Sequence, residues 1–355
     1  MTKKLRVLFL PQYSDKGSQG AFYRVYNYLP LLRAEGIEGV VSPGQKYRYF
    51  QNCKPLKLLA IGVLTTFRRF IDIFRIKNYD VIYFYREVYQ ASVYPFFEKI
   101  YSKLNKNIVF DFDDAIYLDN KYIPKILGWS KEVVAGNQNL ADYAKKYNKK
   151  IIIIPTPSKE EDIKLTKNYS AKKNEKLVIG WIGNVEPHLP NLKMVKNVLK
   201  RLSNKYSFEL RIIGSLGNKE IHKMYSDIPN VDIIHSVPPP EAQKALVQFD
   251  IGIMPLQDTE WNCGKCAKKL LDYFGAGLAT VSSPVGMNKE IVQNGKNGYF
   301  ARNEKEWYEK LEKLIKDVKL RERLGENARK TITEKYLLKP CAKKMIEVIR
   351  RAAKE

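Results

Sequence analysis

The chain is poor in the residues that build metal centres and disulfide frameworks. Its 355 residues include four cysteines (Cys53, Cys263, Cys266 and Cys341) and three histidines (His188, His222 and His235). Four scattered cysteines are too few for a disulfide framework. The histidines show no paired spacing, so the Cys263-x-x-Cys266 pair lacks the two further ligands of a zinc site. No run of 18 apolar residues occurs, which excludes reading any segment as a transmembrane helix. The apolar run at 5–10 is shorter than a signal-peptide core and stops at Pro11, so a first buried strand and a cytoplasmic protein are expected. Acidic residues are scarce beside basic ones, 38 against 62, giving a formal net charge of +24. Such a field attracts polyanions: nucleic acid, acidic membrane or phosphorylated ligands. A background rich in Lys, Ile, Asn and Tyr accounts for part of the same charge without any partner. No aromatic-basic RNA motif or recognition helix stands out, so no nucleic-acid partner is expected.

What is present is an alternation of short apolar runs with helix-length segments. "LRVLFLP" (5–11), "EGVVSP" (38–43), "DVIYFYRE" (80–87), "NIVFDFDD" (107–114), "VVAGN" (133–137) and "KIIIIPTP" (150–157) read as strands, and residues 20–36 as one helix ending at Gly36. The charged stretch 158–176 has no apolar period and reads as an interdomain linker. The alternation then restarts with "LVIGWIG" (177–183), "FELRIIG" (208–214), "VDIIHSV" (231–237), "DIGIMP" (250–255) and "LATVSSP" (278–284). Strands separated by helices mean βαβ units, so two doubly wound parallel-sheet α/β domains are expected, facing a ligand cleft at the carboxyl ends of their strands.

Several motifs suit an anionic ligand. A helix starting near 264–266 would place Lys265 and Lys269 on one face, four residues apart, with Asp272 on a similar face. Two ammonium groups and a helix N-terminus suit a diphosphate, and the carboxylate suits the vicinal hydroxyls of a ribose. "IGWIGNVEPHLPN" (179–191) and "GSQGAFYR" (17–24) place Gly180 and Gly183, and Gly17 and Gly20 ahead of Arg24, at strand-to-helix turns. They read as phosphate-approaching loops or as ordinary turns, since neither has G-x-G-x-x-G. In "DFDDAIYL" (111–118), Asp111, Asp113 and Asp114 could bind Mg²⁺, cap the next helix or orient a sugar hydroxyl. Residues 54–77 carry Leu56, Leu59, Ala60, Val63, Phe67, Phe70, Ile71 and Phe74 at helical spacing, crowded by Lys54, Lys57, Arg68, Arg69, Arg75 and Lys77. Core packing of the apolar face is favoured, with a secondary role for the basic face at an acidic membrane surface.

The whole chain resembles the retaining glycosyltransferases of family four, also called group 1, with the GT-B fold. The resemblance is carried most strongly by "DIGIMPLQDTEWNCGKCAKKLLDYFGAGLATVSSPVGMNKEIVQNGKNGYFA" (250–301), and also by "YRVYNYLPLLRAEGIE" (23–38), "FDFDDAIYL" (110–118) and "IIPTP" (153–157). It implies an acceptor-binding Rossmann-like domain at 1–165, a donor-binding one at 166–336, and a helix at 337–355 returning to the first domain. It also implies that no metal cofactor is needed, because basic groups and a helix N-terminus stabilise the leaving diphosphate. The implied donor-site residues are Gly183, Asn184, Glu241, Gly264, Lys265, Lys269 and Asp272, with Gly20 and Arg24 in the first-domain glycine loop. The chain departs from the family pattern in three places. Gly264 and Asp272 stand where relatives often have two glutamates, Asn184 stands in place of an arginine, and Asp113 in place of a histidine of the first-domain active loop. Asp113 is expected to orient a hydroxyl or accept its proton, and Lys265 and Lys269 to stabilise the leaving group.

The implied activity is transfer of a sugar from a nucleotide diphosphate sugar to a glycan or lipid-linked acceptor, in surface polysaccharide biosynthesis and with retention. The expected location is the cytoplasm, extending to a peripheral place on the inner face of the cell membrane. The competing readings are a sugar-nucleotide epimerase, a catalytically degenerate sugar-nucleotide-binding protein and a basic nucleic-acid-binding protein.

Overall fold

The computed structural model describes residues 4–14, 18–45, 55–89, 94–170 and 176–354. Gly17, Cys53 and Lys54, together with the side chains of Leu56 and Lys57, lie outside the described residues. The chain forms two compact units, the first comprising Met1–Pro157, Gly264–Cys266 and Leu338–Glu355, the second Ser158–Cys263 and Ala267–Leu337.

In the first unit, β1 (Leu5–Pro11), β2 (Ile37–Val41), β3 (Val81–Tyr85), β4 (Ile108–Phe112), β5 (Glu132–Ala135) and β6 (Ile151–Ile153) form one sheet in the order β2-β1-β3-β4-β5-β6. Every pairing is parallel. β3 and β4 are buried at all positions, which is why "VIYFY" and "IVFDF" read as continuous rather than alternating runs. The strand order reverses between β1 and β3. That switch point opens a crevice at the carboxyl ends of these strands.

The second sheet contains β7 (Leu177–Ile182), β8 (Phe208–Ile213), β9 (Val231–Ile234), β10 (Ile251–Met254), β11 (Ala279–Ser282) and β12 (Tyr299–Phe300), in the order β12-β11-β10-β7-β8-β9. It too is parallel throughout and reverses direction between β7 and β10. Its core gathers Trp181, Leu192, Val195, Leu199, Ile212, Ile253, Val281 and Trp307. Two doubly wound parallel sheets with flanking helices are thus the α/β arrangement expected from sequence.

Four local expectations need correction. The segment 20–36 is not one helix. Gln19–Arg24 is capped by Ser18 and ends at Val25, Tyr26–Tyr28 makes a 3₁₀ turn, and Leu29–Ala34 starts afresh. Pro30 explains the break, because it has no N–H for a continuing helix and its ring would strike the carbonyl four residues back.

The segment 158–170 is no loose linker. Lys167 Nζ lies 2.7 Å from Asp250 Oδ1, and buried Tyr169 accepts the N–H of Ala279 at 2.9 Å. Ser158 to Tyr169 therefore packs into the second unit, where the sequence boundary had been expected at 165/166. One buried tyrosine and one buried ion pair hold it, and neither produces a periodic signal.

The helix Pro55–Arg75 turns its apolar residues outward. Phe67 is 61% exposed and Phe74 83%, whereas Thr65, Arg69 and Asp72 are buried. Arg69 makes the attachment. It donates to the carbonyls of Pro11 (3.0 Å), Ser42 (2.8 Å) and Val88 (3.0 Å) and to Asp72 Oδ2 (3.2 Å). A guanidinium with its donors so occupied can be buried without a large penalty. The favoured core packing of the apolar face is overturned. A fourth correction, the start of the helix near 264–266, belongs to the site below.

The helix Leu338–Ala353 lies in the first unit. Leu338, Cys341, Ala342, Met345, Ile346, Val348, Ile349 and Ala352 are buried at helical spacing, in a cluster with Val7, Phe9, Val81 and Val109. Met345 is fully buried. Met345→Ala is therefore expected to cost about 2–5 kcal/mol in denaturant unfolding of the first unit. An unchanged midpoint would mean that this helix is not docked in the core.

Candidate functional site

In the first unit the chemistry gathers where β3 and β4 end. Arg24 is fully buried and its Nε donates to Asp111 Oδ2 at 3.1 Å, while Nη2 holds Asp111 Oδ1 and Tyr83 donates to Asp111 Oδ2 at 2.6 Å. Burial pushes the Asp111 carboxyl up against the opposing pull of Arg24. Arg24 and Asp111 are thus structural partners, and the expected phosphate role of Arg24 does not fit a sealed guanidinium. Gly20 is explained by packing as well, since a Cβ there would fall 2.2 Å from the Tyr85 hydroxyl.

Arg86 is the residue that sequence did not signal. It follows β3 with a left-handed φ of +58°, a strained conformation for a side chain of this size. Its Nε and Nη2 donate to Asp113 Oδ1 at 2.9 and 2.6 Å, Nη2 also holds Asp114 Oδ2, and Tyr85 donates to Asp113 Oδ1 at 2.9 Å. One cation thus serves two adjacent carboxylates, and their titrations part. Burial works to raise Asp113, but Arg86, Arg24 and the Tyr85 hydroxyl outweigh it and hold the carboxyl below its usual range. Asp114 is raised, by burial first and by the charge of Asp113, against the pull of Arg86. Of the two, Asp114 is the one suited to taking and holding a proton, not Asp113.

Residues 264–266 pack in this same unit. Asn137 Nδ2 donates to the carbonyls of Gly264 and Lys265, each at 3.0 Å, and Cys266 Sγ donates to the Asp113 carbonyl at 3.1 Å. A Cβ at Gly264 would lie 2.6 Å from Ala115 Cβ and 2.8 Å from its backbone nitrogen. This close approach explains why a glycine stands where a glutamate was expected by resemblance. The Lys265 ammonium is lowered by burial, partly offset by Asp114. Burial raises the Cys266 thiol strongly and the Cys263 thiol as well, which makes both poor redox nucleophiles.

In the second unit the focus is the end of β7. The helix does not start near 264–266. It runs Lys268–Gly275, after Ala267 in a left-handed conformation (φ +49°), with no side-chain cap on its first N–H groups. Lys265 and Lys269 therefore do not share a helix face. The pair at i, i+4 is Lys268 with Asp272, whose carboxyl is raised by burial against the pull of Lys268. The helix is anchored by buried Leu270, Leu271, Tyr273 and Phe274, and Tyr273 accepts the N–H of Ile182 at 3.1 Å.

Gly183 and Lys269 do come together as expected. A Cβ at Gly183, whose φ is +150°, would fall 2.1 Å from Lys269 Cε, so the bare backbone gives the lysine its path. Lys269 Nζ sits 5.3 Å from the Trp181 ring centroid and 2.9 Å from His188 Nε2. Asn191 lies 3.1 Å from His188 Nδ1, and its Oδ1 accepts the backbone N–H of Gln257 at 2.8 Å. The Lys269 ammonium has donors alone, so at 2.9 Å it donates to Nε2, and His188 holds the lysine beside the bare turn of Gly183. The remaining N–H groups of that ammonium suit an anionic oxygen. Asn184 is exposed and accepts the N–H of Glu186 at 3.2 Å, and Glu241 is exposed and pairs with Lys244 at 3.1 Å. Both have these local roles in the fold.

Among the described residues no group of three or more His, Cys, Asp or Glu is arranged to hold a metal ion. The three aspartates at 111–114 face arginine instead.

The Arg86 cluster makes a testable prediction. Asp113 is buried and Asp114 half-buried, and leaving a buried carboxylate without its cation costs about 3–5 kcal/mol, so Arg86→Met is expected to lose up to this much at neutral pH. In the native chain the folded Asp113 carboxyl is depressed, so its stabilisation is present above the ordinary carboxylate range and is lost as pH falls through its folded value. In Arg86→Met both carboxyls are raised, so stability should recover as pH falls towards 4. Denaturant melts of both forms across that range check the crossing of the two profiles.

The family model for glycosyl transferases group 1 matches residues 162–331. The capsular polysaccharide biosynthesis glycosyltransferase CapM of Staphylococcus aureus is 24% identical over 180 residues, 49% of this chain and 46% of that protein, so the match spans less than half of the relative. A solved glycosyltransferase from Rickettsia africae ESF-5 superposes with a TM-score of 0.72 at 14% identity, covering 100% of both chains. Anabaena Alr3699/HepE, solved in complex with UDP-glucose, superposes with a TM-score of 0.68 at 13% identity, covering 98% of this chain and 100% of that one. At such identities the solved structures speak for the fold, while the family match falls on the unit that holds Gly183, His188 and Lys269. Residues 162–331 are thus a domain matched by the group 1 glycosyl transferase family.

Proposed function

We propose that the chain moves a sugar from a nucleotide diphosphate sugar to a glycan or lipid-linked acceptor, with retention of the anomeric configuration, in surface polysaccharide biosynthesis. The reading is carried by Lys269, held by His188 over Gly183 at the switch point of a sheet matched to group 1 glycosyl transferases. It is supported by a relative named for capsular polysaccharide biosynthesis and by a structural neighbour solved with UDP-glucose.

In the transfer, the bond between the anomeric carbon and the diphosphate oxygen breaks. A bond forms from the acceptor hydroxyl oxygen to that carbon, and the hydroxyl proton departs. Lys269 donates to the oxygens of the leaving diphosphate, where negative charge gathers, and His188 positions its ammonium. The uncapped N–H groups ahead of Lys268–Gly275 add to the same stabilisation. Lys265 supplies a further cation. Asp272 serves the ribose when it exchanges Lys268 for hydroxyls. Asp114 orients the acceptor hydroxyl or receives its proton, while Asp113 is held as an anion by Arg86 and fixes the loop. These cationic and backbone donors fill the charge-neutralising role that a metal ion has in other transferases, so we expect turnover to persist in EDTA. A second reading, binding of the donor without turnover, is favoured by Gly264, because Ala115 leaves no room there for the carboxylate of relatives.

Thermal shift against UDP, GDP, ADP and TDP, followed by turnover of the matching sugar nucleotide, separates the two readings. Lys269→Ala is expected to abolish the nucleotide-induced shift and to lower kcat/KM by about 10²–10³-fold. Asp114→Asn should lower kcat while leaving the shift intact, and the native rate should rise with pH through the raised Asp114 value. Unchanged diphosphate affinity in Lys269→Ala would remove the central assignment. A nucleotide shift without transfer or hydrolysis would favour the binding protein.

A further inference from the structure

The helix Pro55–Arg75 and its neighbour Phe96–Leu104 present an apolar ridge edged with cations. Leu59, Val63, Phe67, Phe70 and Phe74 follow one another at steps of three or four residues and are all exposed, Leu59 by 66% and Phe74 by 83%. Leu64 and Ile71 lie beside them and are also exposed. At 1.5 Å per residue the stripe is about 22 Å long. It continues sideways, because Phe70 meets Phe97 edge-on at 5.3 Å and Phe97 meets Phe96, itself 51% exposed, at 5.5 Å.

The charges sort by side. Each of these helices has one acidic residue, Asp72 and Glu98, and each is 1% exposed. Asp72 is turned to Arg69, and Glu98 accepts the N–H of Val88 at 2.8 Å. Arg68, Arg75, Lys77, Lys99 and Lys103 are all exposed. The outward face is therefore aromatic and aliphatic along its crest and positive at its edges, with its carboxylates turned inward.

We propose that this ridge lies in the interface of a bilayer rich in acidic lipids, with the phenylalanines among the upper acyl chains and the arginines and lysines at the headgroups. A convex apolar ridge with flanking cations matches an extended, negatively charged, deformable partner. A second copy of the chain matches poorly, because it would bring basic edges against basic edges. No helix among the described residues is long and apolar enough to cross a membrane, so the contact is along the surface. The inference rests on the first unit alone and does not depend on the transfer chemistry.

The test is sedimentation of the full chain with vesicles of phosphatidylglycerol mixed with phosphatidylcholine, and with phosphatidylcholine alone. Binding is expected to the acidic vesicles, to fall steeply as salt rises, and to be at least tenfold weaker on the neutral ones. The variant Phe67→Ser/Phe70→Ser/Phe74→Ser should lose binding at least tenfold with an unchanged melting temperature, since these side chains are exposed. Arg68→Glu/Arg75→Glu/Lys77→Glu should abolish the preference for acidic lipid. Equal binding to both vesicle types, no binding to either, or full binding by the triple serine variant would overturn the proposal. A dimer in light scattering that the serine variant converts to a monomer, without lipid binding by either form, would assign the ridge to a second copy instead.

Discussion

A guanidinium can be taken out of water only if its N–H groups find oxygens, and the first unit meets this condition three times. Arg24 is matched by Asp111, Arg69 by three carbonyls and Asp72, and Arg86 by Asp113 and Asp114. Arg69 reaches Pro11 at the end of β1, Arg86 follows β3, and Asp111 to Asp114 close β4. The three cations thus pin the strand ends on either side of the switch point, where an open parallel sheet is otherwise irregular backbone. The site inherits its electrostatics from this pinning. Because Arg86 is shared unequally, one carboxylate is fixed as an anion and its neighbour is left able to titrate. The left-handed backbone of Arg86 is the cost of aiming one side chain at both.

The second unit reaches a comparable result by removing side chains. A Cβ at Gly214 would fall 2.0 Å from the Gly183 carbonyl oxygen, and one at Gly183 would strike Lys269. The bare turns after β7 and β8 let backbone, lysine and histidine converge at one strand end. His188, backed by Asn191, accepts from the Lys269 ammonium and holds it at that strand end. Here charge is presented by a rigid set of neighbours, and little reorganisation is needed when an anion arrives.

Both parallel sheets were legible in the sequence, because a strand buried on two faces leaves a run such as "VIYFY" that no surface segment tolerates. Gly183 and Lys269 were legible too, one as a glycine after a strand and the other as a cation in a motif. What failed was whatever depends on register or on distance along the chain. The helix expected from 264 begins at Lys268, because Ala267 turns left-handed, so Lys265 lies outside it and shares no helix face with Lys269. Arg86 meets Asp113 across 27 residues, a pairing that no local pattern encodes. The helix at 55–75 shows the limit of periodicity most plainly. Its spacing of apolar residues identifies a face, but the face that packs is set by Arg69 and its carbonyls, and amphipathic spacing does not say which side faces the protein.

That orientation bears on the net charge as well. An excess of 24 positive charges can be a property of the whole composition, and then it should be spread without regard to place. On the two helices of the ridge it is not spread so. Both carboxylates are buried and Arg69 alone of the described cations is turned in, while five cations of the ridge and its margin stay in solvent beside exposed phenylalanines. A background rich in lysine gives no reason for acids to point inward, nor for Phe67, Phe70 and Phe74 to stay in water at a cost of about 1.5–3 kcal/mol each relative to burial. Composition can account for the sign of the charge, but the sorting of charges by side, together with the unburied aromatic crest, fits a partner that is itself both apolar and anionic.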